Sequence, residues 1–210
     1  VIGIVDYGMG NLGSVANACR FLDLRAEVIA DPSELAACRA VILPGVGAFG
    51  DCMEHLNQRG FSPVLKAWIA AGRPFLGICV GLQALFESSE ESPGAAGLGV
   101  LRGTVRRFPA DPVRKVPQMG WNRVRQVRPG EPMFDGVPDA SFFYFVHSYY
   151  AAPSDPAVMA GATEYGMEYC SAVRLGAAFA VQFHPEKSQA AGLQMLRNFG
   201  ALTQKREAGE

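Results

Sequence analysis

Short apolar runs alternate with amphipathic stretches along the first part of the chain. Residues 1–5 are apolar and β-branched, stop at Asp6 and run into glycines, which predicts a buried strand. Residues 11–24 predict a helix and residues 27–30 a second strand. Asp31-Pro32-Ser33-Glu34 predicts a helix start, with Asp as cap, Pro at the first helical position and Glu three residues past the cap. Residues 40–43 predict a third strand, ending in Pro44-Gly45-Val46-Gly47. Ser62-Pro63 opens a helix that carries Leu65, Trp68 and Ile69 on one face and closes at Gly72. Residues 74–78 predict a fourth strand, and residues 80–87 have helical character. Strand alternating with helix argues for a parallel α/β sheet.

Residues 97–183 are rich in β-branched and aromatic positions broken by Gly and Pro. They predict strands and loops, added to the same sheet or forming a small second one. Residues 188–203 predict a closing helix with Leu193, Leu196 and Phe199 on one face. No internal repeat or low-complexity linker interrupts the chain, so residues 1–210 read as one domain.

Composition narrows the class. The chain is 49% hydrophobic and 19% charged, which excludes an intrinsically disordered protein. A net charge of −1 gives no push toward nucleic acid or an anionic membrane. The five cysteines are odd in number and form no C-x-x-C, which argues against a disulfide framework and a thiolate zinc site. A reducing, cytoplasmic setting fits best. No apolar run is long enough for a membrane span, and residues 1–5 have no basic region before them, so no signal peptide is expected. The missing initiator Met fits a trimmed start.

Two glycine motifs compete for the chemistry. Gly8-Met9-Gly10-Asn11-Leu12-Gly13 matches G-x-G-x-x-G between a strand and a helix, and Asp31 lies 18 residues past Gly13. That context suits a dinucleotide site equally with a plain βα turn whose Asp31 is a helix cap. Gly77-Ile78-Cys79-Val80-Gly81 is the stronger signal: G-x-C-x-G between strand and helix is the spacing of a nucleophile elbow. A helix N-terminus favours the thiolate, and the Val80 N–H is placed to donate to an oxyanion. Cys19, Cys38, Cys52 and Cys170 read as buried structural residues.

A thiol nucleophile needs a base and an orienter. Phe183-His184-Pro185-Glu186 supplies both: on an extended chain, residues two apart share a face, so Glu186 can hold one imidazole nitrogen while the other meets Cys79. His55 and His147 have no nearby acidic partner and read as structural. Pro44-Gly45-Val46-Gly47 sits where a second oxyanion donor would be, although an ordinary loop explains it as well. Residues 102–128 hold eight Lys/Arg against Asp111 alone, and without regular aromatic interleaving they read as a solvated strand face.

With Leu82 and Gln83 added to the elbow, and with His184-Pro185-Glu186, the sequence resembles the class I (triad) glutamine amidotransferase family. Asp6-Tyr7-Gly8-Met9-Gly10-Asn11, Pro44-Gly45-Val46-Gly47, Met119-Gly120-Trp121-Asn122, Tyr144-Phe145-Val146-His147-Ser148-Tyr149 and Phe183-His184-Pro185-Glu186-Lys187-Ser188 are similar to its histidine-biosynthesis branch. Gln118 departs from a histidine present in many members, and Val46 stands where many relatives have a glycine. The resemblance implies a mostly parallel central sheet flanked by helices, with extra strands from the second half. It implies a catalytic Cys79, His184 and Glu186, an oxyanion site at Val46 and Val80, and glutamine contacts at Gly47 and Gln83. It implies no metal and no organic cofactor, and a glycine turn that binds no dinucleotide. The ammonia would pass to the (β/α)8 cyclase subunit of imidazole glycerol phosphate synthase, in a heterodimer, with Asn11, Trp121, Tyr144 and Lys187 toward that partner. The glutaminase of another synthase, a stand-alone cysteine hydrolase and a small NAD-binding module remain as rivals.

Overall fold

The apolar runs of the first half form the middle of a sheet. The computed structural model describes residues 1–204. Strands β1 (Ile2–Val5), β3 (Ala40–Gly45) and β4 (Phe75–Cys79) are buried at every position, as strands covered on both faces must be. β2 (Ala26–Ile29), between β1 and β3 in sequence, is an edge strand paired to β1 with two exposed positions. Helix α1 (Leu12–Phe21) begins at Asn11, whose side chain accepts the Ser14 N–H at 3.3 Å. Helices α2 (Phe49–Gln58) and α3 (Phe61–Ala70) pack on each other between β3 and β4 in sequence, and α3 buries Leu65, Trp68 and Ile69.

Two helical expectations change form. Asp31 does cap a helical segment, accepting the Ser33 N–H at 2.9 Å, but that segment, Pro32–Ala37, is 3₁₀. The helix after β4 is one turn, α4 (Val80–Gln83), because the chain bends away to bury Leu85 and Phe86. A single turn carries little dipole, so the expected helix-dipole help to Cys79 is small.

The second half adds β5 (Ser88–Ser89), β6 (Gly103–Arg107), β7 (Gln118–Gln126), β8 (Ser141–His147), β9 (Tyr149–Pro153), β10 (Met159–Glu164), β11 (Glu168–Leu175) and β12 (Ala178–Val181). The order is β2-β1-β3-β4-β12-β11-β10-β7-β8. Strands β2 to β12 in this order are parallel, and every later pairing along it is antiparallel. The sheet is therefore mixed, parallel at its centre and extended by antiparallel hairpins, and β5, β6 and β9 branch from β11. Helix α5 (Gln189–Gln204) closes the described chain, buries Leu196 and Phe199 and packs against α1. Leu193 is only half-buried. Among the described residues, no helix is long and apolar enough to cross a membrane.

Candidate active site

β4 ends on a strained residue. Cys79 has φ 57° and ψ −110°, a left-handed conformation that costs a non-glycine residue about 1–3 kcal/mol. Close packing holds it there. A Cβ on Gly81 would run into the Leu43 carbonyl, and one on Gly45 would lie 2.7 Å from the Val80 Cβ. The end of β3 therefore lies against the elbow, with Gly45 paired to Cys79. This brings Val46 and Gly47 beside Val80, and Gly47 takes φ 82°.

The histidine arrives from the neighbouring strand. β12 runs parallel to β4 with Val181 opposite Ile78, so the chain leaves the sheet at Gln182 next to Cys79. His184 caps the 3₁₀ turn Pro185–Lys187, and that turn folds Glu186 back so that its Oε1 lies 2.8 Å from His184 Nδ1. The contact was expected on an extended chain; the structure makes it with a turn. Both side chains are almost wholly buried, and among the described residues neither His184 Nε2 nor Glu186 Oε2 has a hydrogen-bond partner. Burial favours the uncharged ring, but the neighbouring Cys79 sulfur and the Glu186 carboxylate outweigh it and hold His184 up to about 10. Ser188 fixes this turn: its Oγ donates to the His184 carbonyl at 2.6 Å and accepts the Tyr144 N–H at 3.0 Å.

Cys79 and His184 face a cavity of about 220 Å³. Val46, Gly47, Val80, Gln83 and Lys187 line it too, so the residues singled out for catalysis, oxyanion and substrate come together, with Glu186 behind His184. Sequence reasoning missed the rest of the wall, Glu91, Val146, His147, Ser148 and Tyr149. It also missed Gln182, which is fully buried, donates to Cys79 Sγ at 3.7 Å and accepts from Gln83 Nε2 at 3.1 Å. The nearest signal was the uninterrupted Tyr144–Tyr149 motif, which places four of these residues together.

Of the residues expected to face a partner, Trp121 and Tyr144 sit opposite each other on β7 and β8 with rings 6.0 Å apart. Lys187 Nζ lies 6.0 Å from the Tyr144 ring, between that pair and the cavity. Asn11 caps α1, a helix in contact with the Pro185–Lys187 turn. The basic stretch is a solvated face, where Arg125 pairs with Glu168 and Arg114 with Asp111.

A cysteine on a strained elbow at the C-terminal edge of a parallel sheet, facing a histidine held by a glutamate, defines a thiol-dependent acyl-transfer site. The family profile described as "Glutamine amidotransferase class-I" matches residues 3–202, and the chain belongs to that family. Curated relatives narrow the likeness. One from Moorella thermoacetica is 51% identical over 208 residues, covering 99% of this chain and 97% of that protein. One from Methylococcus capsulatus is 50% identical over 206 residues, covering 94% of each. Both are named imidazole glycerol phosphate synthase subunit HisH. Among solved structures, a crystal structure of a glutamine amidotransferase gives a TM-score of 0.75 at 19% identity, covering 97% of this chain and 99% of that one. PurLQS from Thermotoga maritima gives 0.74 at 14% identity, covering 96% and 97%. At such identities these two speak for the fold alone.

Proposed function

We propose that the chain, folded as one amidotransferase domain, is the glutaminase subunit of an imidazole glycerol phosphate synthase. It hydrolyses glutamine to glutamate and ammonia and delivers the ammonia to a cyclase subunit. Cys79 is the nucleophile, His184 the proton carrier and Glu186 its orienter. The observation that carries this reading is the strained Cys79 elbow facing a buried His184 whose Nδ1 is bound to Glu186.

The steps follow from these positions. Cys79 Sγ attacks the side-chain carbonyl carbon of glutamine while its proton is held on His184 Nε2. The carbonyl oxygen takes the negative charge, which the Val80 N–H and a backbone N–H near Val46 stabilise. His184 returns the proton to the amide nitrogen, the C–N bond breaks and ammonia leaves. A thioester remains on Cys79. Water, deprotonated by His184, attacks it, and the C–S bond breaks to release glutamate. Glutamine also needs partners at its other end. Among the described residues Glu91 is the only carboxylate lining the cavity, and it suits the α-ammonium, while Gln83 and Gly47 complete the wall.

The docking face is proposed on Trp121, Tyr144 and Lys187, with Asn11 beside it. Trp121 is 46% exposed and Met119, two residues before it on β7, is 65% exposed. Such an apolar strip beside the cavity mouth suits a partner that receives ammonia without its escape to water. The test is glutamate release by the chain alone and then with a matched cyclase subunit and its substrate. Low activity alone and strong activity in the complex is expected; equal activity in both would remove the partner's control and favour a stand-alone hydrolase.

A further inference from the structure

His147 ends β8, directly opposite Gln118 on β7. It is buried, and its Nδ1 lies 2.7 Å from the Tyr149 carbonyl and its Nε2 3.2 Å from the Tyr169 hydroxyl. Phe108 and Phe145 stack around the ring, with centroids at 5.2 and 5.6 Å. Burial pushes His147 down to about 4, the His184 charge adds to this, and the Tyr149 carbonyl only partly opposes it, so the ring is neutral at neutral pH.

A neutral ring has one proton, and a carbonyl can only accept. Nδ1 must therefore carry that proton, leaving a lone pair on Nε2. The Tyr169 hydroxyl then lies against His147 Nε2, the Gln118 amide at 2.9 Å and the Thr163 hydroxyl, with one proton to give. With Gln118 Oε1 toward Tyr169, two acceptors compete for that proton while Gln118 Nε2 is buried without a partner among the described residues. Turning the amide over removes the competition: Gln118 donates to Tyr169, Tyr169 to His147, and His147 to Tyr149. Amide orientation is settled by such networks.

The Tyr149 carbonyl also accepts from Gln83 Nε2 at 3.2 Å, and Gln83 leads through Gln182 to Cys79. We infer that His147 is a positioning residue for glutamine binding: as the Nδ1–H form it clamps the Tyr149 carbonyl and fixes the Ser148–Tyr149 wall and Gln83, and Tyr169 on β11 holds it in turn, itself held by Gln118 on β7, the strand that carries Trp121. This deepens the glutaminase reading and rests on it. His147 touches no reacting atom, so its removal affects binding more than turnover.

The test uses the complex with the cyclase subunit. His147→Ala is expected to raise KM for glutamine about tenfold, the effect of leaving one buried carbonyl under-bonded, with kcat within about twofold. His147→Asn, whose amide can place an N–H where Nδ1 donated, is expected to return KM to within about threefold of wild type. A fall in kcat at unchanged KM, an unchanged KM, or an equal rise in both variants would overturn the assignment. Nitrogen-15 NMR of the unsubstituted chain reads the ring without any folding risk. A neutral Nδ1–H ring at neutral pH is expected; the Nε2–H form or an imidazolium would overturn the proposal. That result stands even if no glutamate is released, which would instead refute the glutaminase reading.

Discussion

Glu186→Gln separates orientation from proton transfer. The wild-type carboxylate accepts the Nδ1–H of His184 at 2.8 Å and leaves Oε2 buried without a partner. A glutamine has two ways to fit. With its carbonyl oxygen toward Nδ1 it keeps the useful ring form, but it buries an unpaired NH2 and loses the negative charge beside the protonated ring. With its NH2 toward Nδ1 it forces the proton onto Nε2, so the ring cannot accept the Cys79 proton. Losing a hydrogen bond to a charged group costs about 1.5–3 kcal/mol, and stranding a buried donor costs about 1–3 kcal/mol. Together these predict a loss of about 3–4 kcal/mol in the transition state, two to three orders of magnitude in kcat. Glutamine KM is expected to stay within about threefold, because Glu186 lies behind His184 rather than on the cavity wall. The assay is steady-state glutamate release by the complex, with His184→Ala alongside. The glutamine variant is expected to retain more activity than the alanine variant. Equal losses in both, or a loss confined to KM, would refute this division of labour.

Other predictions concern stability and docking. His184 is raised in the folded chain to about 10 from an ordinary 6.5. The stability its protonation contributes is fully present below about 6.5 and is lost as pH rises through about 10. The unfolding free energy of wild type relative to His184→Asn is therefore expected to decline across that window in denaturant titrations; a difference independent of pH would contradict the linkage. Gly81→Ala is expected to destabilise by about 1–3 kcal/mol or more, because its Cβ meets the Leu43 carbonyl and neither backbone can yield cheaply. An unchanged melting temperature would show that the elbow is looser than described. Trp121→Ala is expected to weaken partner binding about tenfold or more by calorimetry while changing the free chain's melting temperature little, since Trp121 is half-exposed. Unchanged affinity would move the docking face elsewhere.

The centre of the fold was legible because parallel strands buried on both faces read as continuous apolar runs, as 40–43 and 74–78 do. The elbow was legible because close packing against β3 admits only glycine at Gly81. Helical character at 80–87 was misleading: Leu85 and Phe86 are buried by a turn, and a pattern of apolar positions does not distinguish the two. The extra strands of the second half are legible but their pairing order is not, because pairings such as β9 with β11 are set by tertiary packing rather than by either strand's own sequence. The same reason hid Gln182 and Glu91. Gln182 meets Cys79 across 103 residues, and Glu91 accepts the Phe49 N–H at 2.8 Å across 42. In sequence His147 reads as structural for want of a nearby acid, yet its partners are a carbonyl two residues on and a hydroxyl on β11.

The central claim is that Cys79 carries the acyl group of glutamine. Its most direct test is to mix the complex with glutamine, quench with acid within a turnover and measure the intact mass of this chain, followed by peptide mapping. The account predicts one added glutamyl group on the peptide containing Cys79 and none in Cys79→Ser. Glutamate release at full rate by Cys79→Ser, or an acyl group mapped to a different residue, would contradict it.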